Sequence, residues 1–115
     1  MVVNEIVTIL SKAGYKAYNK FINITIQNGT ANVIYDTTKV AVSDNLTYRL
    51  RHYIRVVVYI DDPDTAIASV SKIIKLIEPQ LNLINPIFAD LVVSLEGTLY
   101  VIEMPFSFEE VVDID

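Results

Sequence analysis

A chain of 115 residues is the size of one ordinary domain, and 52% hydrophobic against 20% charged residues, with three glycines and four prolines, is the make-up of a packed globule rather than a disordered segment. Fourteen acidic against nine basic side chains leave a net charge of −5, which repels phosphate backbones and argues against nucleic acid as a partner. Cysteine is absent, which excludes disulfides, thiolate metal sites and a cysteine nucleophile.

The opening Met1-Val-Val-Asn-Glu5 has no basic segment followed by an apolar run, and no stretch is long enough without charges or amides to cross a bilayer. The expectation is a soluble cytoplasmic protein with no membrane contact. On that reading the Asn-x-Thr triplets at Asn23, Asn28 and Asn45 arise by chance in a chain rich in Asn and Thr.

Val3, Ile6, Val7 and Leu10 repeat at helical spacing before Gly14, predicting a helix over residues 3–13. Two β-rich runs follow, 21–27 and 31–35, around Asn28-Gly29-Thr30, a strong hairpin signal. Residues 36–46 are polar and mixed, which reads as a loop with a short edge strand at 39–42. A long strand then spans residues 48–60. Leu50, His52, Ile54, Val56, Val58 and Ile60 alternate with Arg49, Arg51, Tyr53, Arg55, Val57 and Tyr59, so the even set is expected to face the core.

Asp61-Asp62-Pro63-Asp64 has the form of a helix N-terminus, with an Asp cap, Pro in the first turn and acids at the positive dipole end. Ile67, Val70, Ile73, Ile74 and Ile77 give the following helix its buried stripe, and Pro79 is expected to end it. After a loop closed by Asn85-Pro86, residues 91–95 and 99–104 form a second hairpin that turns at Glu96-Gly97-Thr98. Residues 107–115 carry the last acids and read as an acidic tail that frays, leaving residues 1–106 as the single domain.

The two halves match. Val3, Ile6, Val7, Ile9, Leu10 and Phe21 align without a gap on Val70, Ile73, Ile74, Leu76, Ile77 and Phe88. One inserted residue later Gly29-Thr30 aligns on Gly97-Thr98, and Val33-Ile34 on Val101-Ile102. The fold class is α+β: two αββ units flank a long central strand in the order α-β-β-β-α-β-β, with an antiparallel sheet and both helices on one face.

That order resembles the type III secretion chaperone-like fold and its YbjN-like relatives. The likeness is carried by the Arg-rich strand running into Asp61-Asp62-Pro63, the Ile-rich helix, and the segment from Phe88 to Ile102. Members of that class end in a further helix, which the residues after Phe106 are too few and too acidic to supply. The resemblance implies a homodimer that binds segments of other proteins, partly by adding a strand to a sheet edge. A second resemblance is to phage tail-terminator proteins, which share the helix–strands–helix–strand-pair order and form rings.

Candidate sites are few. Arg49, Arg51 and Arg55, with Tyr53 and Tyr59, form the only basic stripe. It could bind a carboxylate-rich or phosphate-bearing partner, or it could be a solvated face paired with cross-strand acids, which is favoured. His52, the only histidine, falls on the core face and reads as a packing residue. Asp61, Asp62 and Asp64 lack the spacing of a calcium loop and read as a helix cap; no metal or cofactor is expected.

The last strand is apolar on both faces: Leu99, Tyr100, Val101, Ile102 and Met104, followed by Phe106 and Phe108. Either a second copy covers the outer face or the two phenylalanines fold over it. The functional expectation is a non-catalytic protein-binding module, chaperone-like or regulatory, acting as a homodimer. The alternative is a structural component of a virus or phage particle that assembles into rings.

Overall fold

The computed structural model describes residues 2–19, 25–42, 47–81 and 83–113. Its elements run α1 (Val2–Lys12), β1 (Lys16–Tyr18), β2 (Thr30–Val42), β3 (Thr47–Ile60), α2 (Pro63–Leu81), β4 (Ile84–Phe88), β5 (Val92–Glu96) and β6 (Leu99–Asp113). The class is α+β. One open sheet has the order β1-β2-β3-β6-β4, with β5 paired to the same edge of β6 as β4. The sheet is mixed, because β1 runs parallel to β2 while the other pairs are antiparallel.

The local signals explain where the helices begin and end. Gly14, at φ +100°, closes α1: the Tyr15 N–H donates to Leu10 O (3.1 Å) and the Gly14 N–H to Ser11 O (3.1 Å), the bonding pattern of a left-handed helix cap. Asp62 caps α2, its Oδ2 accepting the Thr65 N–H at 2.8 Å and the Thr65 hydroxyl at 2.9 Å. These bonds hold the Asp62 carboxyl below its ordinary pKa. Pro79 does not stop α2, which continues to Leu81. So near the C-terminus, a missing N–H forfeits a single helical bond and the last turn survives.

Both helices bury one face against the same side of the sheet. Val3, Ile6 and Leu10 from α1 and Ala66, Ile73 and Ile77 from α2 meet Ala31, Val33, Ile54, Val56, Val58, Ile60, Ile102 and Met104. The even residues of β3 from Ile54 to Ile60 therefore face the core as their alternation requires. The expected stripe of α2 shifts by a fraction of a turn: Ala66 and Ser69 are buried, Val70 and Ile74 are half-buried, and Ile67 is 69% exposed.

Four expectations about the strands are corrected. The loop expected to close at Asn85-Pro86 contains strand β4, paired with β6, which adds one strand to the expected order. The short edge strand expected at 39–42 is present, but residues 36–38 before it are not loop: β2 runs through them to Val42, opposite Tyr48. The expected hairpin of residues 21–27 with 31–35 is absent at Thr25–Gln27, which are not strand, and its residues 21–24 lie outside the described residues. The neighbour of β2 at this end is β1, in parallel. The acidic tail is also strand. Residues 107–113 belong to β6 and pair with β3 as far as Thr47–Asp113, since the long free edge of β3 offers them a ladder.

The repeat holds for the helices and fails at the strands. Ile6 and Leu10, like their aligned Ile73 and Ile77, enter the core. Val33, however, lies on the helix side, while its aligned Val101 lies on the opposite side with Val57 and Tyr59. A one-residue offset of this kind exchanges the faces of a strand, so the two αββ halves are not structural copies.

Truncation separates the buried from the exposed stripe of α2. Ile73→Ala, at a site with no solvent exposure, is expected to cost about 2–5 kcal/mol in urea unfolding, and Ile67→Ala to stay within about 0.5 kcal/mol.

Candidate functional site

The basic stripe lies on the face of the sheet opposite the helices, and its arginines are engaged. Arg51 donates from Nη2 to Glu109 Oε1 at 2.9 Å and to Asn85 O at 3.3 Å, and from Nη1 to Ser107 Oγ at 2.8 Å. The register sets this up, since Arg51 stands opposite Glu109 and Ile84 also pairs with Glu109. Asn85, at φ +45° in the irregular part of β4, completes the cluster by donating from Nδ2 to Glu109 Oε2 at 2.9 Å. Asn85 and Arg51 together hold the Glu109 carboxyl below its ordinary pKa.

Arg55 is gripped from the other strand. The bulge between Tyr35 and Thr37 makes Asp36 the extra residue of β2, and its carboxylate accepts both bonds from Arg55 Nε, at 3.1 and 2.8 Å. This bond is the main cause of a raised Arg55 pKa; Glu103 Oε1 approaches to 4.0 Å. Tyr53 lies under Lys39 Nζ, 5.1 Å from its ring centre. Tyr59 is buried with Val57 and Val101, and burial raises its hydroxyl pKa, helped by Glu96 and Glu103. Arg49, 57% exposed and 3.9 Å from Glu109, retains the most open guanidinium of the three.

His52 sits on the helix side. Its Nδ1 lies 2.7 Å from Thr38 Oγ1, and its ring packs on Phe108 with centroids 5.2 Å apart. It borders a cavity of about 210 Å³ shared with Val3, Tyr35, Phe108 and Glu110, room for one or two side chains and less than a small-molecule site commonly needs.

The apolar last strand is spent within the chain. Ile102, Met104, Phe106 and Phe108 are buried on the helix side, and Val101 on the other, so they are unavailable to a partner. Phe106 and Phe108 are ladder residues of β6 that point to the helices and do not fold over the outer face. Leu99 and Tyr100 are half-buried against the same clusters.

Exposed apolar surface lies elsewhere, in two places the sequence reading did not single out. One is the β4/β5 edge, where Ile84, Ile87, Val92, Val93 and Leu95 are 46–62% exposed. The other is the far end of the β2-β3-β6 ribbon, where Val40, Tyr48, Val111 and Val112 are exposed beyond the helix layer. The signal for the first was in the sequence: Val92-Val93-Ser94-Leu95 puts apolar residues on both faces of a five-residue strand.

No known protein-family profile matches the chain, and no curated protein matches it. Among solved structures the fold is similar to a chain of the "virion of native gene transfer agent (GTA) particle", with a TM-score of 0.54 over 93% of this chain and 90% of that one, at 15% identity. At that identity the likeness is one of fold.

Two measurements test the Arg51 cluster. Arg51→Ala removes the partner of three groups and is expected to lower stability by about 1–3 kcal/mol, against a change within about 0.5 kcal/mol for Arg49→Ala. Because the folded-state pKa of Glu109 is depressed, its contribution is complete above the ordinary value of 4.5 and is lost as pH falls through the lowered one. The urea midpoint of the unaltered protein should therefore drop more steeply below about pH 4.5 than that of Glu109→Gln.

Proposed function

We propose that the chain is a non-catalytic structural component of a virus-like particle, which assembles with copies of itself into rings through the edges of its sheet. The observation that carries this reading is a sheet longer than its helix cover, with edges at both ends that are unpaired among the described residues. The molecule measures 52 × 28 × 24 Å, and its radius of gyration is 15.5 Å, against roughly 13 Å for a compact chain of about 100 residues. The excess length is the ribbon of β2, β3 and β6 beyond His52, whose helix-side residues Val40, Tyr48 and Val112 are exposed. Apolar side chains exposed on a ribbon of this kind, and on the β4/β5 edge, are the surface that assembly removes from water.

The fold shared with a chain of a gene transfer agent virion supports the same reading, as does the likeness in element order to phage tail-terminator proteins. The arginines are part of this architecture, since Arg51 and Arg55 brace β3 against its neighbours and leave little free charge for an outside ligand.

The second reading, a homodimeric chaperone-like module of the type III secretion or YbjN-like kind, draws support from β2. Among the described residues it has no neighbour on its outer edge beyond Asn32, and that edge could accept a strand from another protein. Absolute mass by light scattering on a size-exclusion column separates the two. The particle reading predicts closed rings of many copies that grow in with concentration. A stable dimer at every concentration would replace it with the chaperone-like one.

A further inference from the structure

β1 and β5 are opposite ends of one half of the sheet, and the register places them on the same rows. Ala17 pairs with Ala31, Ala31 with Val58, Val58 with Ile102, and Ile102 with Val93. Among the described residues β1 pairs only with β2, and β5 only with β6, so each has a free outer edge. Apart from the charge of Glu96, β5 lacks the devices that keep an edge from pairing. It holds neither Pro nor Lys, its register to β6 has no bulge, and each of its five residues is exposed. β4, on the same side of β6, has both Pro86 and an irregular register.

Direction, backbone polarity and side chains all fit a second copy. β1 runs with β2, and three antiparallel steps later β5 runs against both. A second copy set beside the first in the same orientation therefore brings its β1 antiparallel to β5, with all helices on one side. The Lys16 N–H donates to Gly29 O at 2.9 Å, so the peptide groups of the next residue, Ala17, face the free edge. On β5 the two-residue turn Gly97-Thr98, with Gly97 at φ +63°, makes Glu96–Leu99 the bonded pair and turns the peptide groups of Val93 and Leu95 outward. Ala17 and Leu95 both belong to the helix side, while the exposed Lys16 and Glu96 both belong to the open side.

The geometry points to a head-to-tail contact in which β5 of one copy pairs antiparallel with β1 of the next, Ala17 opposite Leu95 and Lys16 opposite Glu96. The sheet then runs on from copy to copy. Leu95 enters the margin of the neighbour's helix layer, because α1 lies against β1. The opposite charges of Lys16 and Glu96 select this register over the one that sets Ala17 against Val93. The contact rests on the ring reading above and deepens it by naming the two edges that meet. An unclosed succession of such contacts makes a fibre, and a closed one makes a ring.

The chain has no cysteine, so introduced thiols report this contact alone. Under mild oxidation a variant carrying Lys16→Cys and Glu96→Cys is expected to give a ladder of disulfide-linked oligomers that ends at the copy number of the ring. Each single variant should stay unlinked alone, and the two should link when mixed. Lys16→Glu should raise the concentration needed for assembly roughly tenfold, and Lys16→Glu with Glu96→Lys should restore it. Cross-linking of Glu96→Cys with itself would mean that β5 meets β5 across a two-fold, which overturns the contact. Rings that form without any 16–96 link would overturn it too while leaving the ring reading intact. A chain that stays monomeric at all concentrations and never links would defeat both.

Discussion

The structure depends on one pairing. β3 and β6 run antiparallel from Thr47–Asp113 to Ile60–Tyr100 without a shift in register, and every other element is placed by that spine. β2 adds to the other edge of β3, β4 and β5 share the other edge of β6, and α2 lies over the two central strands. Because the pleat alternates, fixing this one register decides at once which residues meet the helices and which form the ion-paired outer face. A slip by one residue would put Ile54, Val56 and Val58 into water and Arg51 and Arg55 beneath the helices. The hydrophobic cost of the first and the desolvation of the second make the register exclusive.

The same spine creates the surplus of uncovered sheet on which the proposed function rests. The helices reach only as far as the His52–Phe108 rows, yet the ladder runs on to Asp113. What holds the uncovered part together is polar: Arg51 with Glu109, Ser107 and Asn85, backed by Thr38 with His52 on the other face. A ribbon braced by ion pairs rather than by a core keeps its shape while leaving Val40, Tyr48, Val111 and Val112 at the surface. We propose that self-assembly makes use of this shape.

Much of this was legible in the residues, and two of the failures have a common cause. The even face of β3, the Asp62 cap, the Gly14 stop and the Gly97 hairpin are written in local chemistry, and each is found. Asp36-Thr-Thr38 and Glu109-Glu110 have no apolar alternation and read as loop and tail, yet both are strand, because β3 offers a long ladder on either side. The clue lay in the charges. Three arginines on one strand want acids on its neighbours, and Asp36, Glu103 and Glu109 supply them. The parallel β1 carried no such clue, being three residues of mixed polarity whose pairing is fixed only by the path of the chain.

The most direct test of the account is amide hydrogen exchange, compared at low and high protein concentration. If copies complete one another's sheets, protection must rise at β5, at β1 and along the far ends of β2, β3 and β6, while the amides of α1 and α2 change little. Protection that rises over the helices and leaves these strand edges exchanging as before would contradict it.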